Sequence, residues 1–107
     1  MAAIFALCVC MSACGAGRGH GRATPSPIPG ADLVRGRLVY ERECSACHGV
    51  RGAGGGIGPS LVDQARRKSF AQVQEIVLDP AAPMPKLYPS RMTKGQVRDV
   101  SAYVESL

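Results

Sequence analysis

At 107 residues the chain has room for one domain, which argues against a second, catalytic one. Hydrophobic residues make up 46 %, yet only two Phe, three Tyr and no Trp stand beside thirteen Gly and eight Pro; a core this thin is expected to lean on a disulfide, a metal or a cofactor. The net charge of +5 includes Arg18 and Arg22 of the N-terminal segment, the other cations are dispersed apart from Arg66-Arg67-Lys68, and no nucleic-acid motif accompanies them, so nucleic acid is excluded as the expected partner.

Residues Ala2 to Ala13 form an apolar stretch too short to span a bilayer as a helix but of the length of a secretory h-region. Residues 1–13 therefore read as a signal peptide, and export to an extracytoplasmic location follows. The run Met11-Ser12-Ala13-Cys14-Gly15 resembles the bacterial lipoprotein box, in which small residues precede a cysteine that is lipidated and becomes the first mature residue. Cys14 is the lipid anchor that this resemblance implies, and it would hold the protein at a membrane. The alternative is an ordinary cleaved signal that carries off Cys8, Cys10 and Cys14. Residues 14–30, rich in Gly, Arg, Ser and Pro with alternating Pro25, Pro27 and Pro29, cannot bury surface and read as a flexible tether; His20 there reads as solvated.

The first helix is expected from about Asp32, with Leu33, Gly36 and Tyr40 on one face, and it runs into Cys44-Ser45-Ala46-Cys47-His48. The C-x-x-C-H spacing attaches c-type haem: two intervening residues let one helical turn present both sulfurs to one porphyrin edge, and the next imidazole becomes an axial iron ligand. Two rivals use the same residues. A redox disulfide of thioredoxin type should follow a strand in a βαβ pattern, and a zinc site needs a second ligand pair; the sequence after the leader offers neither.

Beyond the signature, Gly49 to Leu61 is a glycine-rich stretch ending Gly58-Pro59-Ser60-Leu61. With the signature, this makes the chain from about Ala31 to Leu107 resemble the monohaem class I cytochrome c family. The resemblance implies an all-α fold, a small cytochrome c domain over residues 31–107 with three to four helices around one covalent haem. It also implies that the Pro59 carbonyl accepts the His48 ring N–H, fixing the imidazole as metal-bound histidines require.

A central helix is expected to start at Ser69, whose capping box is completed by Gln72, to carry Phe70, Val73, Ile76 and Val77, and to stop at Asp79-Pro80. The following loop holds Met84 between Pro83 and Pro85, which resembles the family's Met-Pro element and implies Met84 as the distal iron ligand. Met92 competes, but it precedes Thr93 and Gln96, which form a second capping box, and that context places it against Val97 as a hydrophobic staple. The last helix, from about Lys94 to Leu107, carries Val97, Val100, Val104 and Leu107 on one stripe. In the family a Gly and an aromatic of the N-terminal helix pack on an aromatic of the C-terminal one; Gly36, Tyr40 and Tyr103 are similar in kind and position.

His/Met ligation leaves the iron no open position, so the resemblance implies an electron carrier, not an enzyme, serving redox partner proteins as a monomer or as a subunit of a redox complex. Lys86 and Arg51 are candidates for steering acidic partners. The variant is an electron-input subunit of an oxidoreductase or terminal oxidase. The alternative is a haem sensor or enzyme with a labile distal ligand.

Overall fold

The structure, a computed structural model, describes residues 28–107; the expected signal peptide, Cys14 and most of the expected tether, His20 included, lie outside them. The described residues form five α-helices, α1 (Leu33–Glu43), α2 (Ser45–His48), α3 (Gln64–Arg67), α4 (Phe70–Leu78) and α5 (Lys94–Glu105), with a 3-10 turn at Val50–Gly52. The all-α fold is as expected, built from more and shorter pieces. None of these helices is long and apolar enough to cross a membrane.

Each long helix starts where its cap dictates. The Asp32 carboxylate accepts the N–H groups of Val34 and Arg35. Ser69 and Gln72 close a reciprocal capping box on α4, and Thr93 and Gln96 close one on α5, each satisfying two orphan donors of the first turn. The helical stretch is divided once before the signature ends: Cys44, at φ −119° and ψ −34°, caps the end of α1 and the start of α2. Helix α5 stops at Glu105, two residues short of the expected end.

Helices α1 and α5 cross with almost no gap. A Cβ added to Gly36 would lie 2.1 Å from the Asp99 carbonyl oxygen and 2.9 Å from the Tyr103 Cβ, so only glycine permits this approach. The Tyr40 and Tyr103 rings pack beside it, centroids 5.4 Å apart and tilted by 54°, an arrangement favoured by the aromatic quadrupole. A polar clamp holds the same crossing. Buried Asp99 accepts the Asp32 backbone N–H at 2.9 Å and the Arg35 Nε–H at 2.9 Å. Val39, Tyr40, Val73, Leu87, Met92, Val97, Val100 and Val104 make up the buried core.

Candidate cofactor site

The short α2 carries the Cys-His signature. Its first turn is tied to α1, because the Ser45 hydroxyl donates to the Glu41 carbonyl at 2.7 Å, and the His48 N–H donates to the Cys44 carbonyl at 3.0 Å. The chain then turns sharply at Gly49, whose carbonyl accepts the Tyr40 hydroxyl at 2.7 Å. The core crossing thus anchors the end of the signature helix directly.

The glycine-rich stretch folds back over α2. Gly54 N–H donates to the His48 carbonyl at 2.7 Å, and Gly58 N–H donates to the Cys47 carbonyl at 2.8 Å. This return brings Pro59 to His48, whose ring Nδ1–H donates to the Pro59 carbonyl at 2.9 Å; a carbonyl can only accept, which assigns a proton to Nδ1 and, in the neutral imidazole a metal requires, leaves Nε2 as the open nitrogen. A Cβ at Gly58 would stand 2.7 Å from both Nδ1 and Cε1 of the ring. Glycine is needed there for the ring to fit.

Cys44, Cys47, His48, Pro59 and Met84 all line one cavity of about 350 Å³. Its wall is mostly apolar: Leu61 from the loop, Val73, Ile76 and Val77 from α4, Pro83, Pro85 and Leu87 from the loop after it, and Val100 and Val104 from α5. Ile57 and Ile76 are 83 % and 39 % exposed and both border this cavity, so an apolar ligand held there would cover part of that surface. Met92 takes the other course. It is 2 % exposed, packs in the core with Val97 and does not border the cavity.

Burial, and after it the charges of Glu43 and Cys47, push the Cys44 thiol up to about 11. Cys44 is therefore a protonated thiol at neutral pH, the reverse of the low-pKa thiolate a dithiol redox catalyst needs. The set of groups fits a haem instead: two free thiols one turn apart, an oriented imidazole with an open nitrogen, a thioether and a dry wall.

Among the cavity residues that local sequence does not point to are two buried polar ones. Gln64 is buried and borders the cavity from α3, its amide donating weakly to the Ser60 carbonyl at 3.4 Å. Glu43, the last residue of α1, borders it with a side chain only 4 % exposed. The helical register could have flagged Glu43, because it extends the buried stripe of Gly36 and Tyr40 by i+7 and i+3. Of the two steering candidates, Lys86 is exposed but lies 3.3 Å from Asp79, whereas Arg51 is exposed in a left-handed turn at φ 52°.

The family model described as "Cytochrome C oxidase, cbb3-type, subunit III" matches residues 31–104. The chain is 32 % identical over 77 residues to the "Cytochrome c-553-like" protein of Synechocystis sp., covering 71 % of this chain and 70 % of that one. It is 24 % identical over 83 residues to "Cytochrome c-555" of Methylococcus capsulatus, covering 78 % of this chain and 68 % of the relative. No solved structure matches it.

Proposed function

Because the chain belongs to the monohaem class I cytochrome c family, whose members hold a c-type haem covalently and carry electrons, we propose that it is a single-electron carrier in which Cys44 and Cys47 bond the haem and His48 and Met84 ligate its iron. The observation that carries this reading is the convergence of these four residues and Pro59 on one apolar cavity, with His48 already oriented by its bond to Pro59.

When bound, the haem supplies a reversible one-electron change at its iron. The residues do the rest. Pro59 fixes the imidazole's orientation and makes Nε2 a better donor, and Gly58 leaves the ring its place. Pro83 and Pro85 restrict the backbone around Met84, so its thioether is held at the cavity without a helix. A thioether favours the reduced state relative to a second imidazole. The apolar wall suits a porphyrin face, and with His48 and Met84 both committed to the iron no position would remain for a substrate, which is why a carrier is favoured over a sensor or enzyme.

Residues 1–13 act as a signal peptide, Cys14 as a lipid anchor and residues 14–30 as its tether, with residues 31–107 as the haem domain working outside the cytoplasm. Arg51 and the other exposed cations steer acidic redox partners, an effect that salt should weaken. The matching family model's description favours a second reading, in which the same domain is docked as the electron-input subunit of an oxidase. Purification from membranes, with or without stoichiometric partners, separates shuttling from docking.

The test is production in a haem-attaching host. Intact mass should rise by one haem, and the ferric spectrum should show a methionine-to-iron charge-transfer band that Met84→Leu abolishes and Met92→Leu keeps. A bare polypeptide mass would overturn the reading, and carbon monoxide binding by the reduced wild type would overturn the Met84 ligand. Loss of membrane retention in Cys14→Ser would support the anchor.

A further inference from the structure

Glu43 is a buried carboxylate that the electron-transfer residues above do not use. Its Oε1 accepts from Arg42 Nε at 2.8 Å. Its Oε2 is buried and lies 3.0 Å from Arg91 Nη2, yet off the direction a hydrogen bond requires, so that oxygen is charge-paired without being hydrogen-bonded. The two guanidiniums face water, with side chains 53 % and 62 % exposed, whereas the Glu43 side chain is 4 % exposed and borders the cavity.

These unequal exposures matter more than the pairing. A charge at the surface is screened by solvent, while one on the low-dielectric side acts on its surroundings at nearly full strength. The three charges therefore do not cancel inside the cavity, and because Lys68, the other charged residue that borders it, is itself exposed to solvent, the carboxylate's field prevails there. An iron that gives up an electron becomes more positive, and a nearby negative charge favours that oxidised state.

We propose that Glu43 lowers the reduction potential of the group held in this cavity and that Arg91, reaching it from the segment after the distal loop, partly offsets that effect. The proposal rests on the cavity holding haem as read above. Arg91 is well placed for such a role, because its own N–H donates to the Leu87 carbonyl at 2.7 Å and Leu87 borders the cavity.

The test is the midpoint potential of the haem-loaded, full-length chain, measured by spectroelectrochemical titration at fixed salt for wild type, Glu43→Gln, Arg91→Gln and Arg91→Lys. Glu43→Gln should raise the potential, Arg91→Gln should lower it by a smaller amount, and Arg91→Lys should stay near wild type because the charge is kept. Opposite signs separate an electrostatic role from mere loosening, which would move both glutamine variants the same way. Raising the salt should shrink the Arg91→Gln shift more than the Glu43→Gln shift. If Glu43→Gln emerges without haem, the Arg91 pair decides alone. Haem-loaded variants whose potentials stay put, or move in the same direction, overturn the proposal, whereas a wild type that takes up no haem overturns the function it rests on.

Discussion

Where α1 crosses α5, backbone nearly touches backbone at Gly36, two tyrosine rings pack against each other and buried Asp99 ties down the start of α1. Around the cavity the reverse holds: Ile57 stands largely uncovered and Ile76 partly so, Met84 is only half-buried, and the Pro-rich loop that carries it crosses without a helix. The crossing is packed by the polypeptide's own side chains and backbone. The cavity wall lacks partners on one side, and each square ångström of apolar surface it covers on binding contributes about 25 cal/mol. Contacts in this chain are thus divided between a crossing the polypeptide packs by itself, too small a core to fold alone, and a wall that a cofactor finishes.

The sharpest way to break this contrast is to remove both attachment sulfurs. Cys44→Ala/Cys47→Ala should leave the protein without covalent haem and take away the whole of its marginal stability, on the order of 5 kcal/mol, seen as lost helical circular dichroism. Retention of a native-like, well-dispersed spectrum by that variant would show that the crossing needs no cofactor.

Next in size is Gly36→Ala in the haem-loaded protein. The added methyl meets backbone of α5 that cannot step aside, so a loss of about 3 kcal/mol is expected in denaturant unfolding, with the visible spectrum unchanged. A smaller effect should follow from Tyr40→Phe, which deletes the hydroxyl that donates to Gly49. Losing that bond costs about 1 to 2 kcal/mol. It also links the two regions, so Tyr40→Phe should additionally speed loss of the native haem spectrum on heating.

The smallest change concerns Glu105, in the last turn of α5. Burial holds its carboxyl above its ordinary value of 4.5, and its Oε1 is buried without a hydrogen-bond partner. The folded chain then keeps this proton to higher pH than the unfolded chain does. Stability from this group is complete below the ordinary carboxylate range and falls as pH rises through the interval up to the raised value. Glu105→Gln should remove that fall and stabilise the protein at neutral pH by about 0.5 kcal/mol, since it also takes a negative charge from a helix C-terminus. Unfolding curves of the two proteins that stay parallel from pH 4 to 8, roughly the range carboxylates span in folded proteins, would contradict it.

Helix starts at Asp32, Ser69 and Thr93 were legible because a cap is a contract between residues two or three apart. The same short range made the Cys44, Cys47 and His48 cluster readable, and the different surroundings of Met84 and Met92 separated a cavity methionine from a core one. The break at Cys44 and the short α3 were not foreseen, since pieces of four residues carry too little periodicity to register.

The sequence by itself therefore determined the all-α character, the boundaries of the three expected helices to within a turn and a set of residues that lines one cavity, all of which depend on spacing along a few neighbouring residues. Only the tertiary structure decided that Glu43 and Gln64 border the cavity, that Asp99 closes the start of α1 across 67 positions of chain, and that Lys86 is partnered by Asp79. Burial and charge pairing are properties of groups brought together from distant parts of the chain, and no local pattern records which of them will meet.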